Sequence, residues 1–119
     1  MNENIEDVLL VLEEITRKSG YLKLAILDNT KSILKARVFF KEDIYVQIYV
    51  NNRKPKNSYT LIMNDKRIFG KDYVWGTWHA HPFEHPELHN TTEEGGRPVT
   101  VRDFIDQAAF ILSEKLDVI

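Results

Sequence analysis

The fold is decided by the stretch from residue 33 to residue 50, ILKARVFFKEDIYVQIYV. From residue 44 to residue 50, branched apolar side chains alternate with tyrosine and glutamine, which is typical of a strand with one buried face and one more exposed face. The connector Lys41-Glu42-Asp43 is short enough to join two antiparallel strands. The stretch therefore predicts a β-hairpin that places one face against a core.

Further strand-like runs and two helices surround this hairpin. The short runs are separated by turn residues and cover residues 21–27, 58–63, 67–69 and 73–78. Residues 4–18 have the three-and-four spacing of an amphipathic helix, and a second helix begins at Thr100 with a capping-box-like Thr100-Val101-Arg102-Asp103 and continues to about Leu116. We therefore predict an α+β fold, an antiparallel β-meander of about five to six strands with an N-terminal and a C-terminal helix packed on one face.

Length and composition narrow the class of protein. A chain of 119 residues with 43% apolar and 29% charged residues is expected to fold as one domain, residues 1–119. Its apolar runs are shorter than the roughly 20 residues that cross a bilayer, and its first 20 residues do not resemble a leader, so we expect a cytoplasmic protein without a membrane partner. Because the chain has no cysteine, any metal would be bound by imidazole and carboxylate.

The charges are unevenly distributed. The net charge of −2 argues against a strongly basic nucleic-acid-binding protein, yet residues 53–71 contain six cations and one acid. This segment either contacts phosphate, with Lys66 and Lys71 as candidate substrate-binding residues, or is the solvated surface of hairpin tips. Trp75 and Trp78 are candidates for stacking on bases beside it, or are core aromatics.

All four histidines lie between His79 and His89. If His79 and His81 end a strand, both side chains point to the same face and can bind one divalent ion, with zinc, manganese or nickel as candidates. The alternatives are metal-free acid-base catalysis of RNA cleavage by the imidazoles, and a surface loop whose histidines cap backbone groups or stack on Trp75 and Trp78. The candidates for a further metal ligand are His85, His89, Glu84, Glu87, Asp72 and Asp103.

The order of these features resembles the TumE-type toxins of prokaryotic toxin-antitoxin pairs. The resemblance covers Ile33 to about Leu116: two paired strands, then SYTLIMNDKRIFGKD in place of the family's Tyr-containing strand and Arg-x-Asp segment, then the clustered histidines of HAHP and HPELH and a closing helix. It implies a toxin-like role with possible action on RNA, an antitoxin partner, and a site in which Arg67 and Asp72 lie beside His79 and His81. The family's Arg-x-Asp element is longer here.

A second resemblance is local. Residues 76–82, GTWHAHP, are similar to the His-x-His-Pro stretch of JAMM zinc peptidases, and Thr100-Val101-Arg102-Asp103 is a loose counterpart of the Ser-x-x-Asp element of that family. This resemblance implies a zinc metallopeptidase in which His79, His81 and Asp103 hold the metal. A third hypothesis is a non-enzymatic module that docks a partner protein through its hairpins, and the open strand edges of a short meander also suggest a homodimer.

Overall fold

A computed structural model of the chain describes residues 4–119. Six strands form one antiparallel sheet in the order β1-β2-β3-β4-β5-β6, so every strand pairs with its neighbours along the chain, and a helix lies at each end of the sequence. The predicted α+β meander is confirmed. The elements are α1 Ile5–Ser19, β1 Lys23–Asn29, β2 Ile33–Lys41, β3 Ile44–Asn51, β4 Lys56–Met63, β5 Lys66–Val74, β6 Thr77–His81, α2 Val101–Phe110 and a π-helical turn Ile111–Lys115.

Both helices begin, and α1 ends, close to where the sequence predicts. The Asn4 side chain accepts a hydrogen bond from the Asp7 amide at 2.9 Å, and Gly20 ends α1 with a left-handed φ of 77°. At the start of α2, Thr100 and Asp103 form a reciprocal capping box. The second helix ends differently from the prediction, because α-helical hydrogen bonding stops at Phe110 and the last turn is π-helical. No helix in residues 4–119 is long and apolar enough to span a bilayer.

Both helices cover the same face of the sheet, and the core lies between them and that face. Side chains at alternate positions of β2, β3 and β4 are buried there together with the inner sides of α1 and α2. Tyr59 and Phe104 are fully buried at the centre, with ring centroids 5.8 Å apart. The opposite face of the sheet carries the other set of alternate side chains and is not covered by a helix; we call it the open face.

One sequence interpretation was wrong in detail. Residues 67–69 and 73–78 were predicted as separate strands, whereas Lys66–Val74 is one continuous strand and the turn falls at Trp75 and Gly76. Gly70 lies inside β5 opposite His81 instead of forming a turn. This continuity has a consequence for the site, because consecutive residues of a strand point to opposite faces. Lys71 therefore points to the core face and Asp72 to the open face.

Residues 82–100 form an irregular connection that is fixed at several points. Ala80 and Asn90 exchange two backbone hydrogen bonds, of 3.0 and 2.8 Å, so Asn90 pairs with the outer edge of β6. On the core face, the buried Lys71 ammonium donates to the carbonyls of Gly95 and Arg97, both at 2.8 Å. These contacts hold the connection close to the end of the sheet where the histidines lie.

Candidate metal centre

Three of the four histidines converge on the open face at the end of the sheet. His79 and His81 are two residues apart on β6 and point to the same side, and His89 approaches them from the connection that follows. One nitrogen of each ring can be chosen so that all three atoms lie within 4.8 Å of one another. Their ring centroids are 4.7 to 5.3 Å apart, and the rings are steeply inclined to each other. Three histidines are therefore close enough to bind one metal ion.

Asp72 lies beside two of these rings, those of His79 and His81. Its Oδ2 atom is 3.4 Å from Nε2 of His79 and 3.3 Å from Nε2 of His81, because Asp72 pairs with His79 across β5 and β6. Its other oxygen, Oδ1, accepts a hydrogen bond from the Ser58 hydroxyl at 2.7 Å. Ser58 thus fixes the carboxylate so that Oδ2 faces the histidines, which is the role that outer-shell hydrogen bonds have in metal sites.

The proton arrangement on His81 follows from its partners. Nδ1 of His81 lies 2.9 Å from the carbonyl oxygen of Pro86, and a carbonyl oxygen can only accept, so Nδ1 carries a proton. In the neutral ring, Nε2 then carries a lone pair, and this nitrogen lies 3.3 Å from Oδ2 of Asp72. Two electron-rich atoms at this distance repel each other unless a proton or a metal cation lies between them. The buried ring of His81 is therefore arranged to face a positive charge.

His79 favours the uncharged state. Burial lowers its pKa below the usual value of 6.5, an effect that outweighs the opposing attraction of the Asp72 carboxylate and is strengthened by the neighbouring His81 and His89. A neutral imidazole keeps the lone pair that a metal needs. The shift therefore suits His79 to metal binding near neutral pH.

One part of the cluster has the spacing of metal ligands. Zinc binds histidine nitrogen and carboxylate oxygen at about 2.0–2.2 Å, so two ligands of one tetrahedral ion are roughly 3.3 Å apart. The distances from Asp72 Oδ2 to the Nε2 atoms of His79 and His81, 3.4 and 3.3 Å, have this length, which is also that of a hydrogen bond, whereas the three histidine nitrogens lie within 4.8 Å of one another. Imidazole suits zinc and nickel, and the neighbouring carboxylate would suit manganese.

His89 differs from the other members of the cluster because no helix or strand holds it. Its position depends on the neighbouring Asn90, which pairs with Ala80 on β6. Gly95 packs so closely on Asn90 that an added Cβ would lie 2.1 Å from the Asn90 carbonyl oxygen, and the same Gly95 carbonyl accepts from Lys71. Lys71 on the core face thus anchors the segment that presents His89 on the open face.

The remaining candidate ligands do not join the cluster. His85 lies on the surface and faces Glu87, with 3.5 Å between Nδ1 and Oε1 and about two thirds of each side chain exposed. Glu84 is also exposed. Asp103 is engaged in the capping box at the start of α2, a helix that covers the other face of the sheet, so the structure does not bring His79, His81 and Asp103 together as the peptidase resemblance requires.

The predicted substrate-binding residues divide between the two faces. Arg67 pairs with Ile62 on the open face and donates to the Pro86 carbonyl at 3.4 Å, which places it beside His81. Lys66 and Trp75 are exposed at two hairpin turns. Lys71 and Trp78 are buried on the core face, where Trp78 packs on Tyr59 and Tyr73, so neither reaches the surface that carries the histidines.

Ser58 and Pro86 take part in the site although the sequence did not point to them. The role of Ser58 depends on its pairing with Asp72 across β4 and β5, a contact between residues 14 positions apart. Pro86 acts through its carbonyl oxygen, which depends on the path of the loop and not on its side chain. A serine in a strand and a proline in a loop carry no sequence signal for such roles.

Comparison with known proteins adds no assignment to this geometry. The chain matches no family model, no curated protein and no solved structure. The resemblances drawn from the sequence therefore stay predictions. What this site can do chemically follows from its own residues, a group of three histidines within reach of one metal ion and a carboxylate beside them.

Proposed function

We propose that this protein is a metal-dependent hydrolase that cleaves RNA phosphodiester bonds, with a toxin-like role. The observation that carries the proposal is the convergence of His79, His81 and His89 with the Asp72 carboxylate on a face that no helix covers. Zinc, manganese or nickel would be held by the three imidazoles and Asp72. A divalent ion in such a site activates water and stabilises charge that develops on a phosphoryl oxygen.

The residues around the cluster support a phosphate-bearing substrate. Arg67 extends from β5 beside His81, with its guanidinium largely in solvent apart from the bond to the Pro86 carbonyl. A guanidinium is well matched to a phosphate group, because its planar donors can bind two oxygens at once. Arg67 is therefore placed to hold a substrate phosphate next to the metal ligands.

The histidines and Asp72 would act as a fixed set. Ser58 and the Pro86 carbonyl orient Asp72 and His81, so little reorganisation is needed when the ion binds. His89 is exposed on the loop side of the cluster, which leaves that side of the site accessible to water and substrate. The toxin-like role and an antitoxin partner are supported by the sequence resemblance alone.

A cleavage assay tests this proposal. Metal-stripped protein would be incubated with a 5′-labelled RNA in EDTA, or with Zn²⁺, Mn²⁺ or Ni²⁺, and the products would be separated on a denaturing gel. We expect cleavage with at least one of these metals, no cleavage in EDTA, loss of activity in the double variant His79→Ala/His81→Ala and retention in His85→Ala. Equal cleavage in EDTA, or a folded protein inactive with all three metals, would contradict the proposal.

A further inference from the structure

The open face continues from the metal centre across the whole sheet. Two rows of paired residues run across the strands from the β6 histidines to β2. One row leads from His79 to a tyrosine and a lysine, and the other leads from His81 to a glutamine and an arginine. The rows are His79, Asp72, Ser58, Tyr49 and Lys35, and His81, Gly70, Thr60, Gln47 and Arg37.

The side chains along these rows change in size. On β4 and β5, next to the histidines, Ser58, Thr60 and Gly70 are small, so the floor there is low. On β2 and β3 the side chains are long or aromatic. Because neighbouring strands are about 4.8 Å apart, Tyr49 on β3 lies two strands, or roughly 10 Å, from Asp72 on β5. The face thus has a shallow floor between the metal centre and a raised aromatic border.

Cations and aromatic rings are paired along that border. The Arg37 guanidinium lies 4.6 Å from the centre of the Tyr45 ring and is held there by a hydrogen bond from its Nε to Gln47 at 3.1 Å. The Lys56 ammonium lies 5.9 Å from the centre of the Tyr49 ring. These arrangements present flat surfaces for stacking next to positive charges.

Acidic side chains predominate on the helical side of the molecule, and basic side chains predominate on the open face. The two helices carry six acids, Glu6, Asp7, Glu13, Glu14, Asp103 and Asp106, against three cations, Arg17, Lys18 and Arg102. On β2 to β5 the open face carries four cations, Lys35, Arg37, Lys56 and Arg67, against one acid, Asp72. The near-zero net charge therefore conceals a polarity that would direct a polyanion to the open face.

From these observations we infer that the open face over β2, β3 and β4 binds single-stranded RNA and leads it to the metal centre. Unpaired bases stack on Tyr45, Tyr49 and the Arg37 plane, while the cations contact the backbone. The partly exposed rings of Tyr45 and Tyr49 can stack on unpaired bases, whereas a duplex keeps its bases inside and offers none to stack. The delivery of the RNA to the histidines rests on the proposed function, whereas the binding of RNA to the open face needs no metal.

Fluorescence anisotropy in EDTA tests the inference without cleavage. The probes are a fluorescein-labelled oligouridylate and a labelled RNA duplex of the same length, titrated with wild-type protein and with Tyr45→Ala, Tyr49→Ala and Arg37→Gln. The matched control is Tyr21→Ala, an exposed tyrosine that lies beside Phe110 on the helical side. We expect tighter binding of the single strand than of the duplex, and on the order of ten-fold weaker binding for each open-face variant, with Tyr21→Ala unchanged.

The outcomes separate this inference from the proposed function. Equal affinity for duplex and single strand, or wild-type affinity in the Tyr45 and Tyr49 variants, would overturn the binding path, and the second result would favour protein docking on this face. Metal-dependent cleavage with no effect of these variants would leave the hydrolase standing and remove the path. Binding that depends on Tyr45 and Tyr49 without cleavage by any metal would keep the path and remove the hydrolase.

Discussion

The candidate metal centre is made of two parts that are positioned in different ways. Asp72, His79 and His81 are placed by the register of β5 and β6, which fixes both their spacing and the face to which they point. His89 is placed by an irregular segment, which the Ala80–Asn90 pairing and the Lys71 ammonium tie down from the edge and the opposite face of the sheet. The comparison indicates that the strand ligands are set by the fold itself, whereas the loop ligand depends on a separate anchor.

The largest expected effect comes from removing a strand ligand. In His81→Ala we expect zinc affinity to fall by more than about 100-fold, because a metal ligand is lost. We also expect the free energy of unfolding to fall by about 1–3 kcal/mol, since a buried ring is removed and the Pro86 carbonyl loses the shorter of its two hydrogen bonds. Calorimetric zinc titration and urea unfolding measure the two quantities. The exposed His85→Ala is the matched control, and an unchanged zinc affinity in His81→Ala would show that the strand ligands do not bind the metal.

Removing the loop ligand should affect metal binding without affecting the fold. In His89→Ala we expect zinc affinity to fall by roughly 10–100-fold, while the free energy of unfolding stays within about 0.5 kcal/mol of the wild-type value because the side chain is exposed. The same titration and unfolding experiments apply. A stability loss as large as that of His81→Ala would contradict the distinction between the two parts.

The anchor can be tested apart from the ligand. In Lys71→Met the carbonyls of Gly95 and Arg97 lose their donor, and we expect zinc affinity to fall by about ten-fold although Lys71 never reaches the open face. A double-mutant cycle with His89→Ala distinguishes positioning from general damage. The Lys71 substitution should have little further effect once His89 is absent. An equal loss of affinity in both backgrounds would mean that Lys71 does not act through His89.

The smallest expected effect concerns pH. Burial lowers the pKa of His79 below 6.5, so above that value the ring is neutral in both the folded and the unfolded chain, and below it the unfolded chain takes up a proton more readily. The metal-free protein should therefore lose stability as the pH falls below 6.5. Urea unfolding of the wild type and of His79→Gln at pH values above and below 6.5 measures this loss of stability. The variant should lose less stability than the wild type on acidification, and an equal loss would assign the effect to other groups.

These two parts of the site also differ in how far the sequence predicts them. The alternation in residues 33–50, the amphipathic spacing of residues 4–18 and the capping-box-like start at Thr100 are local signals, and the meander and both helices follow from them. The position of His79 and His81 on one face follows from their spacing on a strand. The shared face of His79 and His81 was therefore predictable from local pattern.

The predictions were wrong or incomplete where contacts between residues distant in the sequence determine the structure. The prediction of separate strands at residues 67–69 and 73–78 was wrong, because residues 70–72 continue β5, with Gly70 opposite His81, and Lys71 and Asp72 therefore point to opposite faces. The choice of His89 over His85 as the third histidine depends on the path of the loop, which is fixed by contacts to Ala80 and Lys71. Neither outcome is encoded in the spacing of the histidines.

The metal content of the purified protein tests directly whether His79, His81 and His89, with Asp72 beside them, hold one metal ion. Tag-free protein would be loaded in separate samples with zinc, manganese or nickel, dialysed and measured by elemental analysis, with His79→Ala/His81→Ala and His85→Ala treated in parallel. We expect one ion of at least one of these metals per chain in the wild type and in His85→Ala, and none in the double variant. A folded wild-type protein that retains none of the three metals, or a double variant that keeps the metal, would contradict this site.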